Sequence, residues 1–339
     1  MNLQNRYYEA CVVCNTYNQS AYIEDALNGF ALQKTSFPFV CVVVDDASSD
    51  GNKIVINNYF VSSCEIDNSE YEDTDDYALK FARHKDNVNC YFAVFFLKYN
   101  HYSRPELKPR KRSYYAQIFN NAKYIACCEG DDYWIHSCFL STAVNFLNDN
   151  PEYSAVFGNK IVCDREGRRI SKITFRRGLS IEDIMRGYNM GLRNLVFRKE
   201  IKEVEPFVGK SRDLYVYYQC AASGKLKYFD EDFAVYRMTG DGIYSKLNKK
   251  DAIRTSYKHY YNFHKAVYFK YQKDLVYYQV LHLLKNVAKT RFVLYTLSLI
   301  REYHAPSHLR YIWYFEVLIN IIVSSIGKCI RNIVLRPKN

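Results

Sequence analysis

Short apolar runs, polar turns and amphipathic stretches succeed one another through the first half of the chain. Residues 10–14 are apolar, the polar turn NTYNQS follows, and AYIEDALNGFALQ then sets Ile23, Ala26, Leu27 and Phe30 at helical spacing. This reads as strand, loop, helix. Residues 39–44 are apolar and rich in Val, as in a strand covered on both faces, and DDASSDG leads from them into the helical pattern of KIVINNYF. Two strand-loop-helix units in succession predict a parallel sheet.

The rhythm is interrupted at residues 65–76, EIDNSEYEDTDD, whose seven acids read as a solvated insertion or loop. Residues 90–97 form a further strand. The basic, proline-containing stretch NHYSRPELKPRKR then predicts a loop, because proline interrupts both helix and central strand. A short helix is expected over 114–121, a strand from 124, a helix over 138–147, strand over 153–163, and a helix, Gly turn and strand over 211–229. From about residue 249 the texture changes to long stretches rich in Tyr, Lys and aliphatics, which predict helices with an apolar stripe and a basic face.

Composition sharpens this picture in three places. With 339 residues the chain is expected to hold one catalytic-sized domain, 1–248, and a helical extension, 249–339. The surplus of 47 Lys and Arg over 36 Asp and Glu favours phosphates or an anionic surface, and without a zinc-finger, RRM or basic-zipper signature nucleic acid is not the expected partner. Cys11, Cys41, Cys127 and Cys128 lie in apolar runs, so they read as core fillers in a reducing compartment, and the Cys11–Cys14 spacing lacks the second pair that zinc would need. No basic segment followed by an apolar run opens the sequence, so a cytoplasmic protein is expected. Residues 317–326 are uncharged but shorter than the roughly 20 residues of a spanning helix, and Lys328, Arg331 and Arg336 follow. An interfacial helix, peripheral at the inner face of the cell membrane, is one reading. A helical appendage packed on the protein is the other.

Three polar clusters follow apolar strands: NTYN after Val13, Asp45 and Asp46 after Val44, and Glu129, Asp131 and Asp132 after YIACC. In a parallel sheet ligands sit beyond the carboxyl ends of the strands, so neighbouring strands would bring these clusters into one crevice. Oxygen donors without a His or Cys set favour Mn2+ or Mg2+ over zinc. A cation shared with substrate phosphates would offset the crowded carboxylates, although phosphatases and nucleotidyltransferases also place acids at strand ends.

The segments VVCNTYNQSAYIEDALNG, VCVVVDDASSDG and CCEGDDYW, continued by SRDLYVYYQCAASGKLKYFDEDFAVYRMTGDGIYS, together resemble the successive signatures of family 2 glycosyltransferases over residues 8–245. The resemblance implies the α/β GT-A fold, with a mostly parallel central sheet flanked by helices. It also implies inverting transfer of a sugar from a nucleotide-diphosphate donor, a UDP-sugar being expected, to a hydroxyl of a glycan or lipid-linked saccharide, as in bacterial surface-polysaccharide synthesis. By that resemblance Thr16, Tyr17, Asp45 and Asp46 contact base and ribose, Asp131 or Asp132 holds Mn2+ or Mg2+ on the diphosphate, and Asp213 is the general base. Arg237 approaches the diphosphate.

Each assignment has a structural counterpart. Trp134 is either an acceptor-sugar platform or a hydrophobic anchor, Asp213 a base or a helix cap, and Arg237 a diphosphate ligand or one half of a salt bridge. Thr239 stands where relatives carry His, with Asp241 nearby as a substitute donor. Arg110, Lys111 and Arg112 either cover the diphosphate or line a solvated loop. The competing functions are nucleotidyl transfer, for which the Gly-rich phosphate loop is missing, and a catalytically weak membrane-associated interaction protein.

Overall fold

The computed structural model describes residues 6–104, 106–107, 109–201, 212–242, 247–286, 290–304 and 312–319. The chain begins with β1 (Tyr8–Thr16), α1 (Ile23–Ala31), β2 (Phe39–Asp45), α2 (Asn52–Ser63), β3 (Cys64–Asp73), β4 (Tyr77–His84) and β5 (Cys90–Leu97). It continues with α3 (Arg110–Tyr114), α4 (Ala116–Asn120), β6 (Ala122–Cys127), β7 (Tyr133–Trp134), α5 (Phe139–Asp149), β8 (Tyr153–Phe157), β9 (Lys160–Cys163) and β10 (Arg169–Ile173). Then come α6 (Ile181–Met185), β11 (Leu195–Arg198), α7 (Arg212–Ser223), β12 (Lys225–Tyr228), β13 (Ala234–Arg237), α8 (Lys249–Ala266), α9 (Gln272–Asn286) and α10 (Thr290–Glu302).

Nine strands form one sheet in the order β12-β8-β11-β6-β1-β2-β5-β4-β3, and four form a second in the order β10-β9-β13-β7. This corrects the expected GT-A fold with its mostly parallel central sheet. There are two separate sheets, and the larger is mixed: β11 runs antiparallel to both β6 and β8, and β4 antiparallel to both β3 and β5. One physical cause lies at Gly158 and Asn159, inside what reads as a continuous strand. A Cβ on Gly158 would meet Phe233 Cδ2 at 2.5 Å, and the Asn159 amide donates to Asp230 and Asp232 at 3.0 and 2.8 Å. The chain therefore leaves the first sheet after β8 and enters the second as β9. Residues 65–73 of the acidic stretch are also ordered as sheet rather than loop, because β3 is an edge strand with most of its side chains exposed, and 74–76 form the bend to β4.

The sheet that matters for function is laid down by burial. All seven residues of β2 and all eight of β5 are buried, as expected of strands covered on both faces. β1 pairs parallel with β2 on one side and with β6 on the other, with Thr16 opposite Asp45 and Val13 opposite Cys127. The cysteines fit this core: Cys11, Cys14, Cys41 and Cys128 are buried, while Cys127 is only half-buried.

The chain divides into two compact units. The first comprises Met1–Leu179, Met190–Lys202 and Gln219–Gly240 and holds both sheets. The second comprises Ser180–Asn189, Glu203–Tyr218 and Asp241–Asn339, so it draws residues 180–189, 203–218 and 241–248 from the segment expected to form a 1–248 domain. In it, Ser180 and Asp183 form a capping box at α6, and Asn248 caps α8 by accepting from the Asp251 amide at 3.0 Å. Arg186 binds Asp274 at 2.7 Å, and Tyr260 stacks on Tyr278 at 3.9 Å between ring centroids. No helix among the described residues is long and apolar enough to cross a membrane. The helix expected over 317–326 is described only to residue 319, and Lys328, Arg331 and Arg336 lie outside the described residues.

Candidate functional site

Because β6, β1 and β2 are adjacent and parallel, the three polar clusters at their carboxyl ends meet. The loops are stitched across the strand ends: Cys128 N donates to Val13 O at 3.1 Å, Gly130 N to Asn15 O at 3.0 Å, and Asp46 N to Thr16 O at 3.0 Å. Gly130 is required by close approach, since a Cβ there would lie 2.7 Å from Thr16 Oγ1, Thr16 Cβ and Gln19 Oε1. The loops after β1 and β2 are tied together by side chains. Asn18 N donates to Ser48 Oγ at 2.9 Å, Ser49 N to Asn18 Oδ1 at 2.9 Å, and Ser20 N to Asp50 Oδ2 at 2.8 Å. Asn18 and Ala47 both hold positive φ, 52° and 60°, a conformation that costs a residue with a Cβ about 1–2 kcal/mol. Among the described residues of the first unit, these two are the non-glycine positions with positive φ, and both lie at strand ends.

Asp45 is buried, accepts from Ser48 Oγ, and accepts from Asn52 Nδ2 at 3.1 Å. Burial raises its pKa, and the bonds from Ser48 and Asn52 work against that rise. Asn52 also donates to Thr16 Oγ1 at 3.2 Å, while its own buried Oδ1 has no hydrogen-bond partner among the described residues. Asp46 is equally buried but fully engaged. Its carboxylate accepts from His101 N at 2.7 Å and Tyr102 N at 3.1 Å, and Lys111 Nζ lies at 3.4 Å. Of the basic trio, Lys111 is therefore drawn to an acid, and Arg112 lies over the Phe119 ring at 4.5 Å. Thr16 is buried, and Tyr17 stands exposed beside it.

The acids after β6 differ from one another. Glu129 is exposed. Asp132 is buried, bound by Arg193 Nε at 2.5 Å and by the Arg237 amide at 3.0 Å. Burial raises its pKa, opposed chiefly by the Arg193 charge. Asp131 is partly buried and makes no side-chain ion pair among the described residues. Burial, reinforced by the neighbouring Asp132 charge, pushes its carboxyl up to about 6. Asp132 is thus tied into the protein framework, and Asp131 is the acid whose charge lacks a close counterion.

Two predicted residues have structural occupations. Trp134 is 2% exposed, its Nε1 donates to Arg193 O at 3.0 Å, and Phe30 and Phe139 meet its ring in T-shaped contacts. The proposed acceptor platform is therefore corrected to a core anchor, because no ring face is left for a sugar. Arg237 is buried, donates to Asp25 at 2.6 Å, and packs over Tyr22 and Tyr133. Asp213 belongs to the second unit, where it is exposed in the first turn of α7. Thr239 is half-buried and Asp241 exposed. Sequence reasoning missed Arg193, which lies over Tyr236 at 4.2 Å as well as binding Asp132, and Asn52. Asn52 directly follows DDASSDG and was within reach of the motif. Arg193 sits in the unremarkable GLRNLVFR, where nothing local marks it.

Among the described residues no group of three or more His, Cys, Asp and Glu is arranged to hold a metal. No all-protein cage is therefore formed among the described residues. Mg2+ or Mn2+ held by one or two carboxylates and completed by substrate oxygens does fit, with Asp131 as the carboxylate that lacks a cation.

No protein-family model matches this chain. An uncharacterized protein of Mycobacterium tuberculosis H37Rv, Rv1520, is 26% identical over 242 residues, covering 69% of this chain and 60% of that protein. The chain thus spans about 60% of the length of the curated relatives it matches. Among solved structures, residues 1–349 of Staphylococcus aureus TarS in complex with UDP-GlcNAc superpose with a TM-score of 0.51 at 15% identity, over 91% of this chain and 79% of that one. The mannosyltransferase PcManGT from Pyrobaculum calidifontis, in complex with GDP-Man and Mn2+, gives 0.47 at 12% identity, over 95% and 88%. The likeness to TarS is one of fold alone.

Proposed function

We propose that the chain is an inverting glycosyltransferase that moves a sugar from a nucleotide-diphosphate donor, a UDP-sugar, to a hydroxyl of a glycan or lipid-linked acceptor. The observation that carries this reading is the meeting of three loops at the ends of β6, β1 and β2, with Thr16, Asp45 and Asp131 brought to one place. A protein of the same fold, TarS, has been crystallised with UDP-GlcNAc, which supports a sugar-nucleotide as the ligand class.

In this reading the exposed Tyr17 ring packs on the base, and the Asn52 Oδ1 acceptor and Asp45 serve base and ribose. Asp131 would hold a divalent cation, which would supply positive charge against the departing diphosphate. Asp132 and Arg193 hold the Asp131 loop in position. The assignment of the base to Asp213 comes from the sequence resemblance. It takes the proton of the acceptor hydroxyl while that oxygen bonds to the anomeric carbon and the bond to the diphosphate breaks on the opposite face. Inversion follows from that geometry. No general acid is needed, because a nucleoside diphosphate is a weakly basic leaving group that departs as a stable anion.

A panel of nucleotide-sugars with Mn2+ or Mg2+, read by nucleoside-diphosphate release and product configuration, tests the assignment. Asp213→Asn is expected to lower turnover about 100-fold or more while nucleoside-diphosphate binding persists. Undiminished turnover in that variant rejects Asp213 as base, and a retained configuration rejects inversion.

A further inference from the structure

The net charge of the chain is not spread evenly. Residues 249–339 carry 16 Lys and Arg against four Asp and Glu, so the whole surplus of +11 resides there, and residues 1–248 are close to neutral. Within the second unit the helix 312–319 packs one side inward: Val317 is buried in a cluster with Leu275, Val276 and Val280, and Trp313 and Tyr314 pack against it. Its other side presents Ile312, Phe315 and Ile319, exposed at 62%, 68% and 44%, at the spacing of one helical face. Three bulky apolar side chains on one outward stripe are unusual on a surface that also carries charge.

A cation adjoins that stripe. Glu316, on the same face, is bound by the exposed Lys273 at 2.6 Å. Phe269, at the corner between α8 and α9, packs against the same cluster as Val317, while its neighbour Tyr268 stands 76% exposed between the exposed Lys265 and Lys270. Tyr268 and Phe269 both hold φ of 53°, a left-handed conformation unfavourable for aromatic residues, and it turns one ring outward and the other in. On α8 itself, the exposed Lys250, Arg254, Lys258 and Lys265 recur at spacings of four, four and seven beside the buried Ile253 and Tyr257, with Arg254 paired to Glu302 at 3.0 Å.

We propose that the face formed by Ile312, Phe315 and Ile319, with Lys273 and the Tyr268 corner, docks on an anionic lipid bilayer. The apolar side chains enter the headgroup boundary and the basic second unit supplies the attraction. A bilayer fits better than a protein groove because the stripe belongs to a unit whose sequence carries a large positive charge. Such charge acts over about a Debye length and gains from many anionic headgroups at once. The inference stands on the second unit alone and does not depend on the glycosyl-transfer reading.

The full chain, sedimented with vesicles of phosphatidylcholine alone or mixed with phosphatidylglycerol, tests it. The expected result is binding to the mixed vesicles only, weakened when salt is raised from about 0.1 M to about 0.5 M. Ile312→Ser, Phe315→Ser and Ile319→Ser together are expected to lower partitioning about tenfold or more, with unchanged far-UV circular dichroism. Lys265→Glu with Lys270→Glu gives a second reading that leaves the apolar stripe intact, and it too is expected to weaken binding. Equal binding to neutral vesicles, no binding at all, or undiminished binding by both variants overturns the proposal. A dimer in sedimentation velocity that the serine variant dissociates overturns it as well, since the stripe would then be a contact between copies.

Discussion

Asp131 and Asp132 are adjacent in sequence and opposite in circumstance. Asp132 has Arg193 and the Arg237 amide, whereas Asp131 has burial and a like charge beside it, so its carboxyl sits near 6. Between about pH 4 and 6 the folded carboxyl keeps a proton that the unfolded one has lost. The metal-free protein therefore loses stability as pH rises through that window, by an amount on the order of 2–3 kcal/mol. Asp131→Asn is expected to abolish this part of the pH dependence and to raise the urea midpoint at pH 7.5. An unaltered midpoint would contradict the assignment. The sequence could not separate the two acids, because the discriminating partner, Arg193, comes from 61 residues away. Trp134 was ambiguous for the same reason. Trp134→Ala is expected to cost about 3–5 kcal/mol in denaturation as a cavity in the core, whereas an altered acceptor KM with unchanged stability would restore a sugar-binding role.

At the scale of elements, the strands that build the site were legible because burial on both faces leaves an unmistakable run such as FVCVVVD. What failed was the reading of polar strands and of breaks. The 65–76 acids look like loop until the edge position of β3 makes outward-facing charge compatible with pairing. The short β11 gives too few residues for a pattern, and its antiparallel insertion between β6 and β8 is, with the antiparallel β4, what makes the large sheet mixed. In the helical unit, α8 is joined to α6 through His264, fully buried, whose Nε2 donates to Met185 O at 3.1 Å. Burial lowers its pKa to about 4. The unfolded chain takes up this proton near 6.5 and the folded one does not, so the contribution is intact above 6.5 and is lost as pH falls towards 4, up to about 3 kcal/mol. Its sign is opposite to that of Asp131 over an overlapping window. Chemical denaturation of His264→Gln, which keeps a donor for Met185 O, should show a shallower loss below pH 6.5 than the parent; an identical pH dependence would remove His264 from the account.

Across the whole molecule, the near-neutral first unit carries the strand-end site and the second carries the positive charge. The polar clusters NTYN, Asp45–Asp46 and Glu129–Asp132 were legible as strand-end groups, since each follows an apolar strand. They did not reveal the two-sheet architecture, whose switch depends on contacts at Gly158 and Asn159 with residues some 70 positions later. The central claim is that Asp131, together with the loops after β1 and β2, binds a nucleoside diphosphate through a shared divalent cation. Calorimetric titration of nucleoside diphosphates, UDP first, into the full chain with and without Mn2+ tests this most directly. The account predicts binding that needs the cation, is lost in Asp131→Asn and survives in Asp213→Asn. Cation-independent binding, or equal affinity in Asp131→Asn, would contradict it.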